Sequence, residues 1–339
     1  MKIGLLGAGR AGLMHARILA HRVDELVIAE PKPERSAAVV AELQGEAATR
    51  ARISEASVDA TLADPTLDAL VLTSPTDVHA EQLLRGMDLG IPMFTEKPVS
   101  TSLASTLQVR AAARERGARI QVGFQRRFDT AYTRARAAVR EESLGQLRRL
   151  SMGTMDQAPA AREFLAASGG IYIDCLIHDF DMLRWVTGRE VIEVMAFGTD
   201  LGLPDFRDFA DVCETAAVLR LEGDVLATAQ SSRFNGHGYD VRMELHGTKE
   251  TLAVGFDSKL PVRSLEDGVS YPQEPAWVDF IARFAACYER EIEAFLEVVA
   301  GSGEIPATVD DAVASLRIAE AVRLSQREHR VVSLAEIEG

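Results

Sequence analysis

One short segment limits what this chain can become more than any other: KIGLLGAGRAGLMHARILA, residues 2–20. An apolar run leads into Gly7-Ala8-Gly9-Arg10-Ala11-Gly12 and then into a helical pattern through Met14, Ile18 and Leu19. This is a GxGxxG turn in the strand-to-helix setting that a dinucleotide site needs. Gly7 permits the tight turn, Gly9 lets a pyrophosphate approach the backbone, and Gly12 allows close packing of helix on strand. The free N–H groups of the helix start, around Arg10 and Ala11, point at the phosphates. A second apolar run, ELVIAE, ends at Glu30, where an acid accepts hydrogen bonds from ribose hydroxyls and repels a 2′-phosphate. NAD is therefore favoured over NADP, although Lys32 and Arg35 stand close by.

Strand and helix signals keep alternating. DALVLTSPTDVHAEQLLRGMDLG reads as a buried strand, a polar turn at Ser74-Pro75-Thr76-Asp77 and a helix closing at Gly90; IPMFTEKPVS and ARIQVGF supply two more strands. Repeated βα units predict a parallel sheet wound on both faces, with the ligand outside the C-terminal strand ends. Ser74, His79, Glu96 and Lys97 fall at such ends, His79 reading equally as a cofactor contact or a structural cap. Only five of the 37 basic residues are lysines, so Lys97 is an exception in a chain that otherwise writes its cations as arginine. A compact ammonium can share a proton and polarise an oxygen, which a guanidinium does poorly.

Near residue 121 the texture changes. RRLSMGTM, EVIEVMAFGTDL, ETAAVLRLEGDVLATAQSSRF and YDVRMELHGTKETLAVGF are successive strand-like runs without intervening helices, and the closing segment is helical. The expected class is α/β: an N-terminal doubly wound Rossmann domain over residues 1–121 and a C-terminal α+β domain over 122–339. The second domain is built on a large open, mainly antiparallel sheet, and the last helices can pack back on the first domain. Helices cover one face of such a sheet, so a homodimer or homotetramer is expected to bury the other.

A formal charge of −14 argues against nucleic acid and anionic membranes as partners and favours a small substrate that is neutral or locally guided. No apolar run approaches the ~20 residues of a membrane span. Cys175, Cys213 and Cys287 are odd in number and widely spaced, which fits reduced thiols. The first apolar strand begins at once, without a signal-peptide pattern before it, and a cytoplasmic location is expected.

At mid-chain, GGIYIDCLIHDFDMLRW reads as one amphipathic helix. Asp174, His178 and Asp181 then form a polar line beside Ile173, Leu176, Ile177, Phe180 and Leu183, either a solvated face or the edge of an active site. A metal on Asp174 and His178 needs further ligands that no His/Cys cluster offers.

These pieces, with VGFQRRFD and GYDVRMELHGTKE, resemble the glucose-fructose oxidoreductase / inositol dehydrogenase (Gfo/Idh/MocA) family over essentially the whole chain. GFQRRFD combined with DCLIHDFDM is similar to the myo- and scyllo-inositol dehydrogenase branch, which oxidises a ring hydroxyl with NAD. The resemblance implies Lys97, Asp174 and His178 as the catalytic set and the second domain as the oligomerisation domain. In that reading His178, with an ordinary pKa of about 6.5, takes the hydroxyl proton. Asp174 binds a neighbouring hydroxyl or influences the imidazole, and Lys97 binds the reacting oxygen. Gln125, Arg127, Asp156 and Tyr239 are expected hydroxyl contacts, Arg127 fitting an ion pair as well. Gln125 and Phe284 stand where the family often has Met and Tyr, so the substrate class carries over better than its identity. Rival readings are an aldose or other sugar dehydrogenase, a non-redox glycosidase or lyase that retains NAD, and an NAD-binding regulator, which would not need all three residues.

Overall fold

The computed structural model describes every residue except Tyr271 and Gly339. The chain divides into two compact units, residues 1–124 with 288–313 and residues 125–287 with 314–339.

In the first unit, strands β1 (Lys2–Leu6), β2 (Glu25–Ala29), β3 (Arg52–Ala56), β4 (Ala69–Leu72), β5 (Met93–Glu96) and β6 (Ile120–Gly123) form a six-stranded sheet in the order β3-β2-β1-β4-β5-β6. Every pairing is parallel. Helices α1 (Arg10–Ala20), α2 (Pro33–Gly45), α3 (Val58–Leu62), α4 (Thr76–Gly86) and α5 (Leu103–Arg116) alternate with the strands. A parallel strand covered on both faces must be apolar throughout, and Ala69, Leu70, Val71 and Leu72 of β4 are all fully buried. The strand order reverses between β1 and β4, which opens a crevice at their C-terminal ends.

The second unit contains α6 (Thr130–Arg140), β7 (Leu147–Met155), α7 (Arg162–Ala167), α8 (Ile171–Asp174), α9 (Ile177–Thr187), β8 (Val191–Thr199), α10 (Pro204–Arg207), β9 (Glu214–Leu221), β10 (Val225–Ser232), β11 (Asp240–Gly247) and β12 (Thr251–Val254). With β13 (Val332–Ser333) its strands make a seven-stranded sheet, β12-β11-β7-β10-β9-β8-β13. The sheet is antiparallel except for the pair β7 and β10. Burial alternates along β9 and β10: Thr215, Ala217, Leu219 and Leu221 point inward, whereas Val218 and Leu226 on the opposite face are about half exposed. Helix α6 packs on α9, with the Arg136 guanidinium 4.2 Å from the Trp185 ring centre. Two long helices, α11 (Phe280–Val299), kinked at Phe284, and α12 (Val309–Glu328), each contribute residues to both units.

One expectation is corrected. The segment after Gly170 is two helices rather than one: α8 stops at Asp174, Cys175 and Leu176 make the joint, and α9 starts at Ile177. No face of it is solvated, since Asp179 and Asp181 are 0% exposed and His178 is buried. The 3.6-residue pattern is insensitive to a two-residue break when the flanks on both sides of it are apolar. Among the described residues no helix is long and apolar enough to cross a membrane.

Candidate active site

The Gly-rich turn follows β1, and its three glycines meet different surroundings. A Cβ on Gly7, whose φ is +100°, would lie 2.5 Å from Ser74 N, and one on Gly12 would lie 2.0 Å from Gly7 O. A Cβ on Gly9 would meet nothing within 4 Å. Gly9 caps α1 with no side-chain cap hydrogen bond, and the helix starts at Arg10 directly behind the turn. Glu30, just past β2, is anchored beside this turn: Oε2 accepts from Ala8 N at 2.9 Å and Oε1 from Lys32 N at 3.3 Å. An open glycine, an uncapped helix start and a fixed acid at the next strand end fit the pyrophosphate and ribose of NAD.

At the ends of β4 and β5 the structure separates bracing from display. His79 is buried, with Nδ1 3.0 Å from Pro98 O and Nε2 2.7 Å from Ser74 O. Its ring nitrogens face the backbone carbonyls that follow β5 and β4, respectively. Burial holds its pKa below the usual imidazole range. Ser74 Oγ donates to Gln82 Oε1 at 2.6 Å. Glu96 Oε2 accepts from Lys97 N at 3.3 Å, and Glu96 Oε1 is 2.7 Å from Nε2 of the fully buried His15. His15 sits between the rings of Phe94 and Tyr288. Near Glu96 lies Glu291, 0% exposed, with neither carboxyl oxygen partnered among the described residues. Burial, reinforced by the Glu96 charge, holds the Glu291 carboxyl well above the usual range. His15 and Glu291 went unread in the sequence; the available signal was a polar residue within the apolar stripe of a helix.

The second unit assembles its polar groups at the C-terminal end of β7. Because β7 and β10 run parallel with Met155 opposite Ser232, the residues just beyond them, Asp156 and Arg233, emerge side by side. Arg233 Nη1 donates to Asp156 Oδ2 at 3.0 Å and to Asp174 Oδ2 at 2.8 Å. Cys175 Sγ lies 3.5 Å from Asp156 Oδ2. Tyr239 is buried beside the first residue of β11, and burial pushes its phenol pKa up. Gln125 is 2% exposed, and its Oε1 finds no partner among the described residues. The sequence reading brought Asp156, Asp174 and Tyr239 to this region but missed Arg233, whose neighbourhood is set by strand pairing.

Arg127 pairs with Asp181 of α9. Its Nε and Nη2 donate to Asp181 Oδ2 and Oδ1 at 2.9 and 2.5 Å, a bidentate pair buried on both sides. A second buried pair sits beside His178: Asp179 Oδ2 accepts from Thr154 Oγ1 at 2.5 Å and lies 3.3 Å from Arg126 Nη1. Burial raises the Asp179 pKa and the Arg126 charge opposes the rise. Phe284 is fully buried, 5.6 Å from Arg126 and 4.7 Å from Arg283 measured to the ring centre. Among the described residues no group of three or more His, Cys, Asp or Glu is arranged to hold a metal.

Comparison with known proteins places these features in context. Residues 1–124 match the family model described as the oxidoreductase family, NAD-binding Rossmann fold, and residues 136–334 match its C-terminal alpha/beta domain. The chain is 30% identical to an inositol 2-dehydrogenase of Rhizobium meliloti (strain 1021), the alignment covering 99% of both chains. It is 32% identical to a scyllo-inositol 2-dehydrogenase (NAD(+)) of Bacillus subtilis (strain 168), covering 98% of this chain and 96% of that one. Among solved structures, the scyllo-inositol dehydrogenase of Lactobacillus casei with bound NAD(H) and scyllo-inositol superposes with a TM-score of 0.85 at 26% identity, over 99% of each chain.

Proposed function

The chain belongs to the Gfo/Idh/MocA oxidoreductase family, and from that premise we propose that it is an NAD-dependent dehydrogenase oxidising one ring hydroxyl of an inositol-type cyclic polyol to the inosose. The observation that carries the reading is the presence, within one chain, of an open Gly9 turn beside an anchored Glu30 and of a second-unit cluster of Asp156, Asp174 and Arg233. Relatives of matching length, named as myo- and scyllo-inositol dehydrogenases, support it.

NAD, when bound, supplies the acceptor for the hydride that leaves the carbinol carbon. The turn at Gly7, Gly9 and Gly12 with Arg10 and Ala11 would hold its phosphates, and Glu30 its ribose, with Ser74 and Glu96 bordering the strand ends. His178 removes the hydroxyl proton as general base. Lys97 binds the reacting oxygen and stabilises charge developing on it. Asp174 and Asp156 accept hydrogen bonds from neighbouring hydroxyls, while Gln125 and Tyr239 complete the recognition of the ring. We further infer that copies of the chain associate through the open face of β8, β9 and β10.

The test is a spectrophotometric screen of inositols, aldoses and other polyols with NAD and with NADP. Absorbance at 340 nm should rise with an inositol and NAD, and NADP should give the lower kcat/KM. Lys97→Met and His178→Ala should each lower turnover by on the order of 10² or more while leaving the fold and NADH affinity intact. Full turnover in both variants would remove the assigned roles.

A further inference from the structure

We propose that Arg126, Thr154 and Asp179 form a buried clamp of positioning residues: they hold the start of α9, and with it His178, against the end of β7 and the Gln125–Phe128 turn, so that the rate of proton removal depends on the Thr154 hydroxyl as well as on the imidazole. The inference rests on the dehydrogenase reading and deepens it by naming what orients the base.

The three side chains come from three elements and are all buried. Arg126 belongs to the Gln125–Phe128 turn, Thr154 is the last residue but one of β7, and Asp179 lies in the first turn of α9. The Thr154 hydroxyl accepts from Arg126 Nη2 at 2.8 Å and donates to Asp179 Oδ2 at 2.5 Å, and Arg126 Nη1 lies 3.3 Å from the same Oδ2. A guanidinium can only donate, which leaves the single hydroxyl proton to Asp179. The rotation of the hydroxyl is thereby fixed, and each group orients the other two.

A second buried pair crosses the same turn and helix, from Arg127 to Asp181. Residues 179 and 181 stand about 200° apart around a helix, so the two anchors fix its rotation as well as its position. Gln125, Asp156 and His178, the groups assigned to the substrate, each stand within two residues of a clamp member.

Stability alone does not account for such a clamp. Removing two charges from water is expensive, and apolar residues of similar volume often fill such places at no loss of stability. Charged hydrogen bonds add direction, which apolar contacts lack. A general base needs direction, because a displacement of about 1 Å can cost on the order of 10² in rate.

The test compares wild type, Thr154→Ser, Thr154→Val and Asp179→Asn, with NAD and the inositol that wild type oxidises best. Thr154→Ser keeps the hydroxyl and should stay within about twofold of wild type. Thr154→Val keeps the shape and loses the hydroxyl: kcat should fall about tenfold or more, while KM for inositol and NADH affinity should change by less than about twofold. With inositol deuterated at the oxidised carbon, the isotope effect on kcat should be at least as large in Thr154→Val as in wild type, since the chemical step is the one slowed. Combining Thr154→Val with Asp179→Asn should cost little more than the larger single effect, as expected of one unit. Unchanged kcat in Thr154→Val, an equal fall in Thr154→Ser, an effect confined to KM, a smaller isotope effect or multiplying losses in the double variant would overturn the proposal. If Thr154→Val does not fold, Asp179→Asn is judged by the same split of kcat from KM. An arm independent of turnover reads the ring 1H–15N NMR signals of His178, assigned by their loss in His178→Ala: they should move in Thr154→Val and hold in Thr154→Ser, and identical spectra in all three would refute the clamp. A wild type inactive on every polyol would instead remove the dehydrogenase reading and leave the His178 spectra to decide whether the clamp orients the ring.

Discussion

Gly7, Gly9 and Gly12 occupy one turn, yet a methyl group added to each would meet a different fate. At Gly12 it would collide with the Gly7 carbonyl at 2.0 Å, and at Gly7 it would clash with the Ser74 backbone in a left-handed conformation. Either change should lower Tm, by a stability loss on the order of 1–3 kcal/mol or more. Gly9 has φ −77° and ψ −168°, an extended backbone open to any residue, and empty space at its Cβ. Gly9→Ala should therefore leave the thermal midpoint nearly unchanged while weakening NADH binding by on the order of tenfold, read by fluorescence titration. Equal loss of stability in Gly9→Ala and Gly12→Ala would mean that the middle glycine also serves packing. The motif was legible in the sequence because turn, helix start and acid lie within 30 residues. The anchoring of Glu30 by Ala8 N–H was not, since that contact joins two strand ends.

Elements decide what individual side chains are free to do. Arg127 read as a hydroxyl contact or an ion pair and Asp181 as part of a solvated face or a site edge; the 125–128 turn and α9 bring the two together into a buried bidentate pair. The break between α8 and α9 turns the expected polar line into separate functions: Asp174 goes to Arg233, and Asp181 goes to Arg127. The sheet of the second unit makes its own statement through alternation. Inward Ala217, Leu219 and Ala227 are buried, while outward Phe197, Val218 and Leu226 are each at least half exposed on the opposite face. An open apolar face of adjacent strands is the surface that a second copy of the chain would cover. Val218→Asp should lower the solution mass measured by light scattering, with the secondary structure unchanged by circular dichroism; an unchanged mass would place the contact elsewhere.

For the whole molecule a consequential buried titratable group is Glu291, contributed to the first unit from the far end of the chain. Its carboxyl is raised well above the value of about 4.3 expected in the unfolded chain, mainly by burial. The native state therefore keeps a proton that the unfolded chain releases as pH rises. The contribution of Glu291 to stability is fully present below about pH 4 and declines as pH climbs from the unfolded value toward the raised native one. Glu291→Gln removes that decline: its Tm should match wild type near pH 4 and exceed it increasingly toward pH 8, and parallel Tm curves would show that Glu291 is ionised in the native protein. Neither Glu291 beside the His15–Glu96 pair nor Arg233 beside Asp174 could be read from spacing, because each is fixed by elements far apart in the chain. What the residues alone determined was local and periodic: the glycine turn, the apolar parallel strands, the change to antiparallel pairing, and the set of chemically capable side chains. Only the tertiary structure decided which of those side chains are consumed as ion pairs and braces and which are held ready as acceptors, since burial and partner choice depend on strand register and helix breaks that couple distant segments.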